Sequence, residues 1–167
     1  VLTMVIVVMG VCGSGKSTLG KILAERLKVD FLEGDDFHSP VNVAKMSRGE
    51  PLTESDRAPW LSEIRRTLDR YLNDDRGVVL TCSALTRKSR LTLGVERSAV
   101  RLIHLHAPQS VLEKRMARRK DHFMPGSLLQ SQLETLETPG NEEALRIDVS
   151  DSTEFAIQSV LRDLENR

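Results

Sequence analysis

Eight consecutive residues, Gly10-Val11-Cys12-Gly13-Ser14-Gly15-Lys16-Ser17, carry the residue types and spacing of a phosphate-binding loop, G-x-x-x-x-G-K-[ST]. A polyphosphate brings several negative charges close together. A loop that binds one must turn its backbone N–H groups inward, and the glycines permit a turn that larger residues would obstruct. A helix opening near Lys16 adds the positive end of its dipole. In this pattern Lys16 reaches the β- and γ-phosphates and the Ser17 hydroxyl ligates Mg²⁺, so residues 10–17, followed by Thr18, form the candidate nucleotide cradle.

What surrounds the loop narrows the chemistry. The apolar run Val78-Val79-Leu80 ends in Thr81-Cys82-Ser83, without the aspartate that usually supports the metal. That support then falls to the acidic turn Glu33-Gly34-Asp35-Asp36, through Glu33 or Asp35 by way of water. No N-K-x-D segment is present to specify guanine, and the chain is short for a motor or transporter ATPase. A small phosphotransferase remains, with ATP as donor and Mg²⁺ as cofactor.

Further residues fit that chemistry. Arg115 and Arg119, four residues apart, share a helix face and can clamp the transferring phosphoryl group. Asp35 is the candidate that orients the accepting hydroxyl or takes its proton. With Lys16, these three make the catalytic set. His38, Lys45, Arg48, Arg57 and Arg90 are expected to leave the sheet on the same side. Such a group suits a carboxylate bearing many hydroxyls, since arginine grips a carboxylate bidentately and histidine or lysine serves the hydroxyls.

The elements that position these residues can be read from periodicity. Val5, Ile6, Val7 and Val8 form a β-branched run before the loop, and Leu19, Ile22, Leu23 and Leu27 line one face of the helix after it. A second strand over Val29, Phe31 and Leu32 leads into the acidic turn. Ser39-Pro40 is a helix start with Gly49 as its stop, and a longer helix opens around Ser55 with a stripe of Leu61, Ile64, Leu68, Tyr71 and Leu72. Further strands are expected at residues 78–80, 100–106 and 145–149, with helices between them and a last helix carrying Ile157, Val160, Leu161 and Leu164. The basic run Arg115, Arg118, Arg119, Lys120 leads to a turn at residues 121–126, and a return helix spans residues 128–136. Strands alternating with helices give an α/β fold: a parallel five-stranded sheet between helical layers, its ligands gathered beyond the carboxyl ends of the strands.

Composition sets the outer bounds. A chain of 167 residues suits one domain, here with acceptor-binding helices about residues 36–60 and a lid about residues 115–136. Lys plus Arg and Asp plus Glu number 24 each, so no global charge draws the chain to nucleic acid or an anionic membrane. Four Phe, one Trp and one Tyr form no base-stacking array. The apolar opening is far shorter than the ~20 residues that span a bilayer, and the expectation is a soluble, cytoplasmic protein. Cys12 and Cys82, the only cysteines, imply neither a disulfide framework nor a zinc site.

Several segments together resemble the gluconokinase family: Phe31-Leu32-Glu33-Gly34-Asp35, His38, Asn42, Lys45-Met46, Gly49-Glu50-Pro51-Leu52, Asp56-Arg57, Pro59-Trp60-Leu61, Cys82-Ser83-Ala84-Leu85, His122-Phe123-Met124-Pro125 and Leu136-Glu137-Thr138-Pro139. The resemblance implies an adenylate-kinase-like P-loop kinase fold with a mobile lid. It implies phosphorylation of D-gluconate on its terminal hydroxyl by ATP, a Mg²⁺ requirement and a homodimer. It gives ATP to residues 10–17, the lid to Arg115 and Arg119, and gluconate to Asp35, His38, Lys45, Arg57 and Arg90. Two departures stand out, Glu33 where Asp is common and Ser89 where a tyrosine usually precedes the arginine. The alternatives are another small-molecule kinase on this scaffold, such as a shikimate-type enzyme, or an ATP-binding regulator without turnover.

Overall fold

The residue that most constrains the backbone near the loop is Gly34. A Cβ there would lie 2.1 Å from the Thr81 carbonyl oxygen, so only glycine lets two neighbouring strand ends approach this closely. A computed structural model describes residues 2–119, 127–150 and 152–167. Its five strands are β1 (Val5–Met9), β2 (Asp30–Glu33), β3 (Val78–Thr81), β4 (Val100–His106) and β5 (Ala144–Asp148). All pair in parallel, in the order β2-β3-β1-β4-β5. The helices are α1 (Lys16–Leu27), α2 (Pro40–Ser47), α3 (Glu54–Asn73), α4 (Arg87–Leu93), α5 (Gln109–Ala117), α6 (Leu128–Thr135) and α7 (Thr153–Glu165), with a 3-10 turn at Gly34–Phe37.

Strand β1 is central and wholly buried, which is why it reads as an unbroken apolar run and not as an alternation. Its alternate residues feed two cores. Val5, Val7 and Met9 pack with Trp60, Leu61, Ile64 and Leu68 of α3 and Leu93 of α4. Ile6 and Val8 pack with Leu19 and Leu23 of α1 and Ile157 and Val160 of α7. Truncating a fully buried side chain such as Ile64 to Ala would cost about 2–5 kcal/mol.

A third apolar cluster lies beyond these two. It joins Val11 and Cys12 of the loop to Met46 of α2, Leu112 and Met116 of α5, and Leu128 and Leu129 of α6. The phosphate loop is therefore seated on side chains from both flanks of the expected lid. From β1 the chain runs to β2 on one side of the sheet, while β4 and β5 lie on the other. The loop thus sits where such sheets open a ligand crevice.

The elements follow the expected order with small shifts at their ends. The start of α3 is set by Thr53 and not Ser55. The Thr53 hydroxyl accepts from Asp56 N–H and the Asp56 carboxylate accepts from Thr53 N–H, a reciprocal capping box worth about 1 kcal/mol. Ser39 caps α2 as expected, accepting from Asn42 N–H at 3.1 Å. Strand β5 begins and ends one residue earlier than the apolar pattern suggested. The His122-Phe123-Met124-Pro125 segment of the expected lid lies outside the described residues. Among the described residues no helix is long and apolar enough to cross a membrane.

Candidate active site

The chain leaves β1 through a loop whose Gly13 and Gly15 have φ of 82° and 88°, a region that L side chains rarely adopt. Helix α1 opens directly at Lys16, so the loop's N–H groups and the helix terminus converge on one cavity. That cavity is lined by Cys12, Gly13 and residues 15–18 of the loop and helix start, by Glu33 and Asp35, by Ser83, and by Arg115, Arg119 and Gln132. Gly10 and Val11 stand behind it. A Cβ on Gly10 would strike Ser14 Oγ, and the Val11 carbonyl accepts from the Lys16 ammonium at 3.1 Å. Burial pulls the Lys16 pKa down, against the nearby Asp35, Cys12 and Glu33, which hold it up.

Glu33 bridges the loop to the sheet. One of its carboxylate oxygens accepts from the Ser17 hydroxyl at 2.7 Å, the other from the Thr81 hydroxyl at 2.6 Å. The residue at the end of β3, where a metal-supporting aspartate was absent from the sequence, is therefore a hydroxyl that holds the carboxylate of the neighbouring strand. Ser17 and Glu33 together form an all-oxygen donor set on the phosphate side, which fits a hard cation such as Mg²⁺. Glu33, one of the two acidic candidates for that role, is the carboxylate that accepts from Ser17 here.

Asp35 sits on the 3-10 turn just beyond, and the turn is anchored from α3. The Trp60 indole N–H donates to the Gly34 carbonyl at 2.8 Å, and the Trp60 ring stacks on His38 with centroids 4.0 Å apart. His38 Nε2 in turn lies 4.0 Å from Asp35 Oδ1. Burial lowers the His38 pKa, partly opposed by Asp35, so near neutral pH the ring is an uncharged hydrogen-bonding group.

A second cavity adjoins the first. His38, Arg57, Trp60 and Leu85 line it together with Leu128, Ser131 and Thr135 of α6, and it shares Asp35, Ser83 and Gln132 with the phosphate cavity. Arg57 is held at its rim by the Leu52 carbonyl at 2.6 Å. The three shared residues stand where a γ-phosphate from one side and a hydroxyl from the other can meet.

Of the residues expected to touch an acceptor, the structure brings Asp35, His38 and Arg57 to this second cavity and places three others elsewhere. Lys45 lines neither cavity; its ammonium pairs with Asp56 at 2.7 Å, joining α2 to the first turn of α3. Arg48 pairs with Glu50 on the exposed side of the same loop. Arg90 is 1% exposed. Its guanidinium donates to the carbonyls of Ala84 at 3.0 Å, Leu85 at 3.1 Å and Glu137 at 2.9 Å. A basic residue on α4 is expected to face ligand, but these carbonyls claim it instead, that of Leu85 accepting from the Glu137 N–H as well. Its effect on the site is indirect. Ala84 has φ of 46°, a left-handed conformation costing about 1–2 kcal/mol, and the turn it makes presents Ser83 and Leu85 to the cavities. Arg90 braces that turn against the chain leaving α6.

The two arginines expected in a lid both line the phosphate cavity but are held differently. Arg115, on α5, donates to the Val149 carbonyl just past β5, whereas Arg119 lies two residues beyond the end of α5, so the two do not share a helix face as expected, and its guanidinium makes a long contact to Met116 sulfur at 3.7 Å. In the sequence Thr81 and Ser83 are only small polar residues at a strand end suited to substrate contact, and Trp60 and Gln132 have no role of their own. For Trp60 a signal existed: it heads the same buried stripe as Ile64 and Leu68, on a chain with a single tryptophan. The others depend on which strand lies beside which, and no local pattern carries that. Cys12 and Cys82 are buried free thiols. Burial raises both pKa values, that of Cys82 to about 12, and makes them unreactive.

A phosphate loop with a lysine and a serine at its helix start, an oxygen-rich metal side, two arginines opposite and an adjoining polar-lined acceptor pocket define a P-loop phosphotransferase for a small molecule. Comparison with known proteins agrees. The sequence profile of the AAA domain matches residues 5–139. A gluconokinase of Gluconobacter oxydans is 43% identical over 161 residues, covering 96% of this chain and 90% of that one. A solved gluconokinase from Sinorhizobium meliloti superposes with a TM-score of 0.86 at 43% identity, covering 99% of this chain and 93% of that chain. A solved sugar kinase from Janibacter gives 0.90 at 42% identity, over 97% and 94%. The chain belongs to the gluconokinase family.

Proposed function

We propose that this chain transfers the γ-phosphoryl group of ATP to the terminal hydroxyl of D-gluconate, yielding 6-phosphogluconate and ADP. The observation that carries the reading is the pair of adjoining cavities sharing Asp35, Ser83 and Gln132, one built for polyphosphate and the other for a small polar acceptor. Residues 13–18 hold the triphosphate through backbone N–H groups, the Cys12 N–H being held by Gln132. Lys16, Arg115 and Arg119 balance charge on the moving phosphoryl group, where electrostatic positioning supplies most of the rate. Asp35 accepts a hydrogen bond from the gluconate hydroxyl, aims its lone pair at phosphorus and takes up the proton as the P–O bond forms. His38, uncharged, hydrogen-bonds a gluconate hydroxyl, and Arg57 grips the carboxylate end.

Ser17 and Glu33 are the residues that would hold Mg²⁺, Glu33 through water. The cation, when bound, neutralises charge on the β- and γ-phosphate oxygens. Cytoplasmic location and a homodimer belong to the same proposal, supported by the family and testable by cell fractionation and by sedimentation. A coupled ADP-release assay across gluconate, other sugar acids and shikimate tests the activity. Stimulation by gluconate, lost on chelation of Mg²⁺, is the expected result. Stimulation by shikimate alone would point to the sister chemistry on this scaffold, and ATP binding with no acceptor-dependent turnover would point to a regulator.

A further inference from the structure

One side chain belongs to both cavities and also touches the phosphate loop itself. Gln132 lies on α6, and its carbonyl oxygen accepts from the Cys12 backbone N–H at 2.7 Å across 120 residues of sequence. Its neighbours on α6, Leu128, Ser131 and Thr135, line the acceptor cavity. Leu128 and Leu129 pack in one apolar cluster with Val11 and Cys12. Displacing α6 therefore displaces the loop, through both a hydrogen bond and a packed contact. Filling the acceptor cavity presses on that helix from the side facing Asp35 and Ser83.

We propose that Gln132 is a positioning residue that couples the two pockets: by holding the Cys12 N–H, it lets a bound acceptor fix the phosphate loop for transfer, and a bound nucleotide fix the acceptor pocket in return. This rests on gluconate as the acceptor. The coupling is a linkage free energy, so each ligand must tighten the other by the same factor. A neutral glutamine suits the role, because an acidic side chain here would oppose the incoming phosphates, while a shorter one would not span the gap.

Two measurements on the full chain decide it. In the first, the ligand-free protein is labelled with ¹⁵N and the Cys12 amide followed. Gln132→Ala should move that resonance upfield and speed its exchange, whereas Gln132→Glu, which keeps an acceptor oxygen, should leave it close to wild type. In the second, affinity for Mg²⁺ and the non-hydrolysable analogue AMP-PNP is measured with and without saturating gluconate. The wild type should show coupling of about 5-fold or more, falling to near 1 in Gln132→Ala, while each ligand alone changes affinity by less than about 3-fold. Turnover in Gln132→Ala should fall about 10-fold or more in kcat, and each KM, taken at saturating co-substrate, should rise by about the coupling factor that is lost. An unmoved Cys12 amide, or undiminished coupling in Gln132→Ala, would overturn the proposal. Failure of the wild type to bind gluconate would instead overturn the substrate, and the ligand-free amide shift would still decide whether Gln132 holds the loop.

Discussion

The two cavities differ in how they are made. The phosphate cavity is mostly local: six residues between Cys12 and Thr18 supply its floor, and its preference for anions comes from backbone N–H groups and a helix terminus. The acceptor cavity is assembled from the acidic turn, α2, α3, the turn after β3 and α6, and no element contributes more than a few side chains. Charge recognition can be built from a short stretch of backbone. Recognition of a shaped, hydroxylated molecule takes side chains converging from many elements, each needing its own brace. Trp60 holding Gly34 and Arg90 holding Ala84, Leu85 and Glu137 are such braces.

This contrast can be pressed hardest at Lys16. Lys16→Ala removes the one side chain that the local cavity uses as a counter-charge on the β- and γ-phosphates. It should lower kcat/KM on the order of a thousandfold while leaving the circular dichroism spectrum and melting temperature close to wild type. Substantial turnover in this variant would mean that the phosphate cavity is not local in the sense drawn above, and that Arg115 and Arg119 can carry the charge unaided.

Next in size is Asp35→Asn, at the border of the cavities. The substitution keeps the shape and loses the hydrogen-bond-accepting charge, so kcat should fall about a hundredfold or more with KM for ATP changed less than about threefold. A mainly raised KM for ATP would assign Asp35 to the phosphate side and leave hydroxyl orientation to another carboxylate, with Asp36 and Glu33 the candidates.

The same contrast explains what could be read in advance. The eight-residue loop is legible because its chemistry and its contiguity coincide, and β1 and α1 are legible because a buried parallel strand and an amphipathic helix print their periods directly. Asp35 and Glu33 are legible as an acidic turn at a strand end. Thr81, Ser83 and Gln132 are not, because their roles arise from β3 lying beside β2 and from α6 folding back 120 residues onto the loop. Arg90 shows the opposite error. A cation on a helix near the site looks like a ligand group, but whether it turns to solvent or to three backbone carbonyls is decided by the tertiary fold alone.

Arg57→Ala addresses the dispersed cavity directly. It removes one grip on the acceptor carboxylate and should raise KM for gluconate about tenfold, in line with one charge-assisted hydrogen bond, with kcat and KM for ATP nearly unchanged. A parallel loss in KM for ATP would show that the acceptor wall also shapes the phosphate cavity, and would blur the distinction between the two.

The smallest effect on activity is expected from Lys45, and it sharpens the boundary of the acceptor cavity. Its ammonium is committed to Asp56 at 2.7 Å, so Lys45→Met should change KM for gluconate by less than about threefold, as for other solvent-accessible ion pairs. The consequence should appear instead in acid stability. The hydrogen bond from Lys45, with those from the Thr53 backbone and hydroxyl, lowers the Asp56 pKa from 3.8 to about 2. A carboxylate held down in this way favours the folded state above its unfolded pKa, because between the two pKa values the unfolded chain binds a proton that the native chain does not. Its contribution is present at pH 5 and lost as pH falls through about 2. Removing the lysine leaves the capping-box bonds from Thr53 and raises the folded pKa part of the way back. The melting temperature of Lys45→Met should therefore fall less steeply than that of the wild type between pH 4 and pH 2. A tenfold rise in KM for gluconate, with an unchanged acid limb, would show that Lys45 leaves Asp56 for the substrate and belongs to the acceptor wall after all.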